Sequence, residues 1–437
     1  MKVLVIGGGG REHALVWALL RSKRVGEVVC APGNAGVAAM ARCEPLDVTD
    51  VGATVALAER ERPGLVVIGP EVPLALGTTD ALEAVGFRVF GPTRAAARLE
   101  SSKVFAKEFM EAHGIATARS ARCTTIEEVE AALRGFSVPV VVKADGLAAG
   151  KGVVIVETHG QAIQAAGEMF SGALLGQAEA EIVLEEFLAG EELSFFALCD
   201  GKTAVPIAAA QDHKRVGEGD TGPNTGGMGA YSADFLLEGG MRAWLTANVA
   251  QRVVDGMAAD GSPFRGILFC GIMLVPRADG AAGTVGGVAP MVLEFNTRWG
   301  DPETEAILVR LETDVLELLE AAVEGTADRL EVRLKPGASA CVIAASGGYP
   351  GKYASGKMIS GLGEVGSSED VVVFHAGTAM RDGEVVTAGG RVLAVTAASE
   401  LGLKDALGKA YAAMETISFD GMQYRRDIGW RAMEAGR

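Results

Sequence analysis

Residues 139–156, PVVVKADGLAAGKGVVIV, constrain the fold more than any other stretch of the chain. Two apolar, valine-rich runs flank a loop of Gly, Ala and Asp, a pattern that reads as two strands joined by a turn. Lys143 ends the first run and Lys151 closes the loop. Gly146, Gly150 and Gly152 let backbone N–H groups approach an anion without a Cβ in the way. The two lysines add point charges for phosphate oxygens. A P-loop would open a helix and carry Ser or Thr after its lysine; here Gly152 and a strand follow. A nucleotide-binding loop of another kind and a tight hairpin with two solvated lysines both fit this stretch taken alone.

Residues 291–298, MVLEFNTR, form a second constellation. Alternate side chains of a strand share a face, so Glu294, Asn296 and Arg298 point one way and Phe295 and Thr297 the other. A carboxylate and an amide oxygen two residues apart make a hard, oxygen-only site suited to Mg²⁺ shared with phosphates. An arginine further along the same face can grip a phosphate or carboxylate with two prongs. A solvent-facing polar stripe on an edge strand is the alternative for each residue singly. The set of three, followed at once by Gly300-Asp301-Pro302-Glu303, favours chemistry.

At 437 residues the length prior gives about three domains. No apolar run reaches the roughly 20 residues of a membrane helix, and MKVLVIGGGGREH reads as a strand and glycine turn, not a signal peptide. The six cysteines form no C-x-x-C pair, which fits reduced thiols in a cytoplasmic protein and argues against zinc or disulfides. The five histidines are equally dispersed. A net charge of −16 disfavours nucleic acid, yet glycine loops and single lysines still create pockets for small anions.

The chain divides into four segments, an α/β organisation throughout. In residues 1–101 the strand candidates are 2–6, 27–31, 65–68 and 88–90, and the helix candidates 12–21, 51–62 and 79–85. That alternation implies a doubly wound parallel sheet. The first turn, Gly7-Gly8-Gly9-Gly10, lacks the third glycine of the dinucleotide fingerprint, because Glu12 stands there. NAD is therefore weakly supported, while a phosphosugar at that helix start remains open beside a purely structural turn. Residues 102–190 hold a helix over 103–112, the glycine hairpin and a strand over 181–187. The end of that strand, Glu185-Glu186-Phe187-Leu188, leads to Glu191-Glu192. Exposed backbone there suits an adenine edge and the following acid suits ribose hydroxyls; an ordinary strand end fits as well. Residues 191–325 carry strands near 193–199, 204–210, 267–275 and 291–297 and a long helix over about 302–323. Between them lies a loop over 211–231, QDHKRVGEGDTGPNTGGMGAY, whose length and glycines point to substrate. Residues 326–437 form a last α+β module, with strands near 340–345, 371–376 and 392–397 and a helix over 404–417. His375 reads as a packed histidine.

Taken in order, VLVIGGGGREHAL, APGNAG, IGPEVPL, GPTRAAARLESSK, VVKADGLAAGKGV, EEFLAGEE, AQDHKR, DTGPNTGGMGAYS, LEFNTRWGDPE, GYPGKY, FHAGT and GGRVL resemble the ATP-grasp ligases, and among them the phosphoribosylamine–glycine ligase family. The resemblance spans essentially the whole chain. AQDHKR with GPNTGGMGAY is its most specific part. It implies an N-terminal Rossmann-like domain, an ATP-grasp core with a small mobile lid, and a C-terminal α+β module. It implies that ATP, glycine and 5-phosphoribosylamine are the substrates, that Mg²⁺ or Mn²⁺ is the cofactor, and that the enzyme is a monomer with no membrane partner. By resemblance, Lys103, Lys143 and Lys151, with Gly150 and Gly152, hold the ATP phosphates. Glu185, Glu186, Phe187 and Leu188 bind ATP, the backbone near Glu186 and Leu188 reading the adenine, and Glu192 takes the ribose. Glu294 and Asn296 bind the metal. Arg298 steadies the γ-phosphate or the glycine carboxylate, and Asp212, Lys214 and Asp301 contact glycine or the reacting amine. Gly8, Gly10, Asn34, Pro70 and Glu71 hold the phosphosugar, with Gly226, Gly227 and Met228 on the substrate loop. A carboxylating or formylating grasp ligase would share Lys143, Lys151 and Glu294 but lack AQDHKR. A nicotinamide-dependent oxidoreductase is disfavoured by Glu12.

Overall fold

The run VLVI folds as the core of the strand Lys2–Gly7, with Val3, Leu4, Val5 and Ile6 wholly buried. A computed structural model describes residues 1–147, 152–174, 178–278, 280–365 and 370–437. Among the described residues the first sheet has five parallel strands, ordered Arg42–Cys43, Glu27–Pro32, Lys2–Gly7, Leu65–Ile68 and Val89–Phe90. Helices Gly10–Leu20, Val51–Glu61 and Thr78–Ala84 alternate with them. Both faces are covered, which is why the strands are apolar runs. Val3 and Val5 pack with Ala14 and Leu15 on one side; Leu4 and Ile6 pack with Leu57 and Ala58 on the other.

The second sheet is antiparallel and four-stranded among the described residues: Ser120–Cys123, Ile182–Glu186, Val140–Ala144 and Val153–Val156. Helices Ile126–Leu133 and His159–Phe170 seal one face through Val129, Leu133, Ala162 and Met169. The glycine hairpin is present, pairing Val140 with Val156 and Lys143 with Val153. Of its loop residues, Gly150 and Lys151 lie outside the described residues.

The largest sheet has eight strands among the described residues. Its order is Val288–Asn296, Arg265–Pro276, Glu191–Asp200, Ala204–Asp212, Gly229–Ala233, Ala338–Ala345, Arg391–Ser399 and Val371–His375. Strands from residues 191–296 and from 338–399 thus share one sheet. Two expectations need correction here. The region 211–231 is not a plain loop. Gln211 and Asp212 end a strand, Arg215–Gly217 and Thr221–Asn224 form a small ribbon, and Gly229–Ala233 is a fully buried strand between two neighbours. Its residues, GAYSA, carry little strand signal of their own; flanking strands supply the ladder. The helix drawn over 302–323 is two helices, Glu303–Leu308 and Val315–Glu324. Asp314 caps the second, accepting Leu316 N–H at 2.9 Å, an N-terminal signature inside the apolar pattern. All six cysteines are free. Among the described residues no helix is long and apolar enough to cross a membrane.

Candidate active site

The glycine hairpin brings Lys143 to the edge of the large sheet. Its Nζ lies 2.9 Å from Glu185 Oε1 and donates to Leu293 O at 3.2 Å. Glu185 Oε2 lies 3.1 Å from Lys107 Nζ, which also donates to Thr117 Oγ1 at 2.7 Å. Burial pushes the Lys107 ammonium down to about 8, against the pull of Glu185. All three side chains are buried, and a buried carboxylate persists only with such partners. The Glu185 side chain therefore faces the two lysines. At the strand end Glu186 Oε1 accepts Arg119 N–H at 2.9 Å. Phe187 is exposed and Leu188 half-buried.

The segment 100–104 ties this hairpin to the large sheet. Asp145, two residues past Lys143, accepts Ser102 Oγ and Val104 N–H, each at 3.1 Å. It thereby caps the helix Lys103–Ala112 together with Ser102, whose Oγ accepts Phe105 N–H. Lys103 Nζ donates to Gly146 O at 3.0 Å. Two residues back, Glu100 Oε2 accepts Thr297 N–H at 2.7 Å.

Glu294, Asn296 and Arg298 do share one side. Arg298 Nη2 donates to Asn296 Oδ1 at 3.2 Å. Lys214 Nζ pairs closely with Glu192 and lies 4.0 Å from Glu294 Oε1. Gly271, opposite Glu294 in the ladder, leaves the gap over which Glu192 and Glu294 converge. Burial alone would raise the Glu294 carboxyl; Lys214, Lys143, Lys103 and Arg298 outweigh it and hold the group below its ordinary value. For Lys214, burial is outweighed by Glu192, Glu294 and Asp212, and its affinity for the proton rises.

This donor set bears on the metal. Among the described residues no three His, Cys, Asp or Glu are grouped to hold an ion. Glu294 and Asn296 offer two oxygens beside four cationic side chains. That suits a hard divalent ion whose remaining ligands come from a polyphosphate, and it does not suit an ion caged by protein alone.

Beyond this face lies an acidic corner. Gly227 has φ +111°, and a Cβ there would stand 2.7 Å from Asp212 Oδ1. Asp212 Oδ1 is buried without a hydrogen-bond partner among the described residues. Burial, then the nearby Glu303, pushes the Asp212 carboxyl well above its usual range. Glu303 Oε1 accepts Ser194 Oγ at 3.0 Å. Arg391, reaching over from the strand Arg391–Ser399, donates to Gly226 O at 2.5 Å and Asp301 O at 2.8 Å and pairs with Asp301 Oδ1 at 3.1 Å. Met228 does not present its side chain to this corner. It is 1% exposed, and its backbone links His213 and Ile343.

The N-terminal glycine turn sits beside it. Glu12, where the fingerprint glycine is missing, folds back to accept Gly9 N–H at 2.7 Å and pairs with Arg11 Nε at 2.5 Å. It occupies the space that Cβ atoms on Gly7 and Gly69 would take. Asn34 spends its amide on the protein: Oδ1 accepts Gly36 and Val37 N–H, and Nδ2 donates to Gly8 O at 3.0 Å and His375 O at 2.7 Å. Its amide thereby shapes the turn. Pro70 precedes the helix Glu71–Leu76. Glu71 Oε2 lies 3.3 Å from Arg298 Nε. His375 is packed as expected, yet not isolated: its N–H donates to His13 Nδ1 at 2.8 Å.

Glu100 and Lys107 escaped the sequence reading, and Glu303 and Arg391 stood in its motifs without a role. Arg391 follows Gly389-Gly390 in the motif GGRVL. Glu303 follows Asp301-Pro302 directly and was the most findable, since it stands one residue beyond two singled-out positions. Glu100 and Lys107 gain meaning only from contacts across the fold.

Three segments match phosphoribosylglycinamide synthetase domains: the N domain over residues 1–100, the ATP-grasp (A) domain over 101–304 and the C domain over 339–431. The chain is 49% identical to the phosphoribosylamine–glycine ligase of Xanthomonas campestris, over all of this chain and 99% of that one. It is 46% identical to that of Vibrio cholerae over 99% of each. A crystal structure of phosphoribosylamine–glycine ligase from Thermotoga maritima superimposes with a TM-score of 0.82 at 34% identity, covering 98% of this chain and all of that one. The biotin carboxylase domain of Hydrogenobacter thermophilus 2-oxoglutarate carboxylase, at 15% identity and a TM-score of 0.75 over 97% and 91% of the chains, shares the fold. With a lysine-bearing glycine hairpin set beside a Glu-x-Asn strand, these matches make the protein an ATP-grasp ligase. Within the class, the chain belongs to the phosphoribosylglycinamide synthetase family.

Proposed function

We propose that the enzyme joins glycine to 5-phosphoribosylamine at the expense of ATP, through glycyl phosphate, giving glycinamide ribonucleotide, ADP and phosphate. The observation that carries this is the shared face of Glu294, Asn296 and Arg298, with Lys143 facing it from the hairpin and an acidic corner beside it. A carboxylate is a poor electrophile, because its charge repels an amine and oxide leaves badly. Phosphorylation removes both obstacles. A glycine oxygen attacks the γ-phosphorus and the bond to ADP breaks. The amine nitrogen then attacks the acyl carbon and phosphate leaves, while the amine proton passes to the side lined by Asp212 and Asp301. Catalysis here is positioning and charge neutralisation.

Lys103, Lys143 and Lys151, with the loop N–H groups of Gly150 and Gly152, hold the phosphates. Glu185 sets Lys143. The backbone of Glu186, Phe187 and Leu188 lines the adenine, and Glu192 the ribose. Glu294 and Asn296 would hold Mg²⁺, or Mn²⁺ in its place, which would supply positive charge against the phosphates. Arg298 steadies the moving phosphoryl group. Asp212 and Lys214 receive glycine under Gly226 and Gly227, and Gly8, Gly10, Pro70 and Glu71 hold the phosphosugar. Segments 1–101, 102–190, 191–325 and 326–437 act as phosphosugar sheet, lid, core and C-terminal support. The enzyme acts as a cytoplasmic monomer in this reading. Phosphate release from ATP should need both glycine and phosphoribosylamine. Release that ignores the amino acid supplied would contradict the assignment.

A further inference from the structure

Arg298 emerges from the sheet at a point where its guanidinium has a choice of acids. Glu71 Oε2 lies 3.3 Å from Nε, but Nε makes no hydrogen bond among the described residues. Glu100 is different. Its Oε1 lies 3.0 Å from Arg298 Nη2, while its Oε2 accepts Thr297 N–H at 2.7 Å and Thr297 Oγ1 at 3.1 Å. The Glu100 side chain is 8% exposed. One oxygen is thus ion-paired with the arginine, and the other accepts from Thr297, the residue before it. The same guanidinium donates through Nη1 to Trp299 O at 3.1 Å, the carbonyl that Arg11 Nη1 also reaches at 3.1 Å. A floppy arginine has many rotamers; a fork held at both prongs has few, and less freedom is lost when it meets a phosphate.

We propose that Glu100 is a positioning residue for the phosphoryl-transfer step: it fixes the Arg298 fork on the Glu294–Asn296 face. It does so from the segment that also caps the helix after the linker and latches Asp145 and Gly146 of the glycine hairpin. The arginine and the lid thus share one footing. This rests on the role proposed for Arg298 above.

The test is a double-mutant cycle of wild type, Glu100→Gln, Arg298→Ala and the double variant, with kcat and each KM measured and folding checked by circular dichroism. The amide is isosteric but cannot accept on both sides, so it sets a donor against either Arg298 or Thr297. Glu100→Gln should lower kcat about tenfold or more and leave the KM values for ATP and glycine within about twofold. In the Arg298→Ala background the same change should move kcat by less than about twofold, because the group it acts through is gone. An equal loss in both backgrounds, or unchanged kcat in the single variant, overturns the proposal while the function stands. If Arg298→Ala itself turns over like wild type, the role of Arg298 falls and this proposal with it. Should Glu100→Gln fail to fold, Glu100→Asp takes its place, since it keeps two acceptors but withdraws them by one methylene.

Discussion

Glu294 gathers Lys214, Lys143, Lys103 and Arg298 around one carboxylate, so its charge is the term the site can least spare. Glu294→Gln keeps size and should cost about 100-fold or more in turnover, the scale of losing one charge-stabilising group, with an unchanged thermal midpoint. Wild-type turnover at ordinary magnesium would contradict its role. Asn296→Ala should also lower turnover. Two other residues give stability tests of opposite sign. Burial raises the Glu305 carboxyl well above its ordinary value, with Asp301 adding to the effect. Among the described residues neither of its oxygens has a hydrogen-bond partner. The folded state binds that proton more tightly than the unfolded chain, so stability falls as pH rises from the ordinary carboxyl range. Glu305→Gln should gain on wild type as pH rises. His213 is buried and pushed down to about 4, with Arg425 adding to burial, and its Nε2 accepts Gly429 N–H at 3.0 Å. Here the unfolded chain takes the proton first, so stability is lost as pH falls from about 6.5 toward about 4. His213→Gln, which keeps an acceptor, should gain on wild type in acid. Parallel melting curves across pH 5–9 for either variant would contradict these placements.

At the scale of elements, the hairpin and the helix Lys103–Ala112 move as one if Asp145 is the latch it resembles. Asp145→Ala removes the hydrogen bonds to Ser102 Oγ and Val104 N–H. It should cost about 1 kcal/mol as a lost cap and raise the KM for ATP more than that for glycine. Equal changes in both would locate Asp145 outside the nucleotide site. Proteolysis within residues 120–185 should slow when ATP and Mg²⁺ are added, as a closing lid requires. The elements that carry these tests were legible because their residues announce themselves locally. Valine runs around glycine gave the hairpin, and alternation of apolar runs with helical stretches gave the first sheet. What stayed hidden depends on neighbours. Gly229–Ala233 is a strand only because two strands flank it, and the break at Asp314 lies inside an apolar pattern that runs through it. Glu185 and Asn34 were found as residues but their protein partners were not, since nothing in a sequence tells whether a polar group is already engaged by its own protein.

Across the whole molecule, the reacting corner draws on distant parts of the chain. Arg391 holds Gly226 and Asp301. Arg425, 1% exposed, binds Arg215 O at 3.1 Å, Asp220 at 2.9 Å and Asp427 at 2.7 Å, and so straps the ribbon that follows Asp212 and Lys214 to the C-terminal residues. All of this serves one claim, that the face of Glu294, Asn296 and Arg298 drives direct phosphoryl transfer to glycine, with no covalent enzyme intermediate. The measurement that tests it most directly is the fate of ¹⁸O from the glycine carboxylate during turnover with phosphoribosylamine. Transfer through glycyl phosphate predicts one labelled oxygen in each released phosphate and the other retained in the amide. Unlabelled phosphate, or label bound to the enzyme, would contradict it.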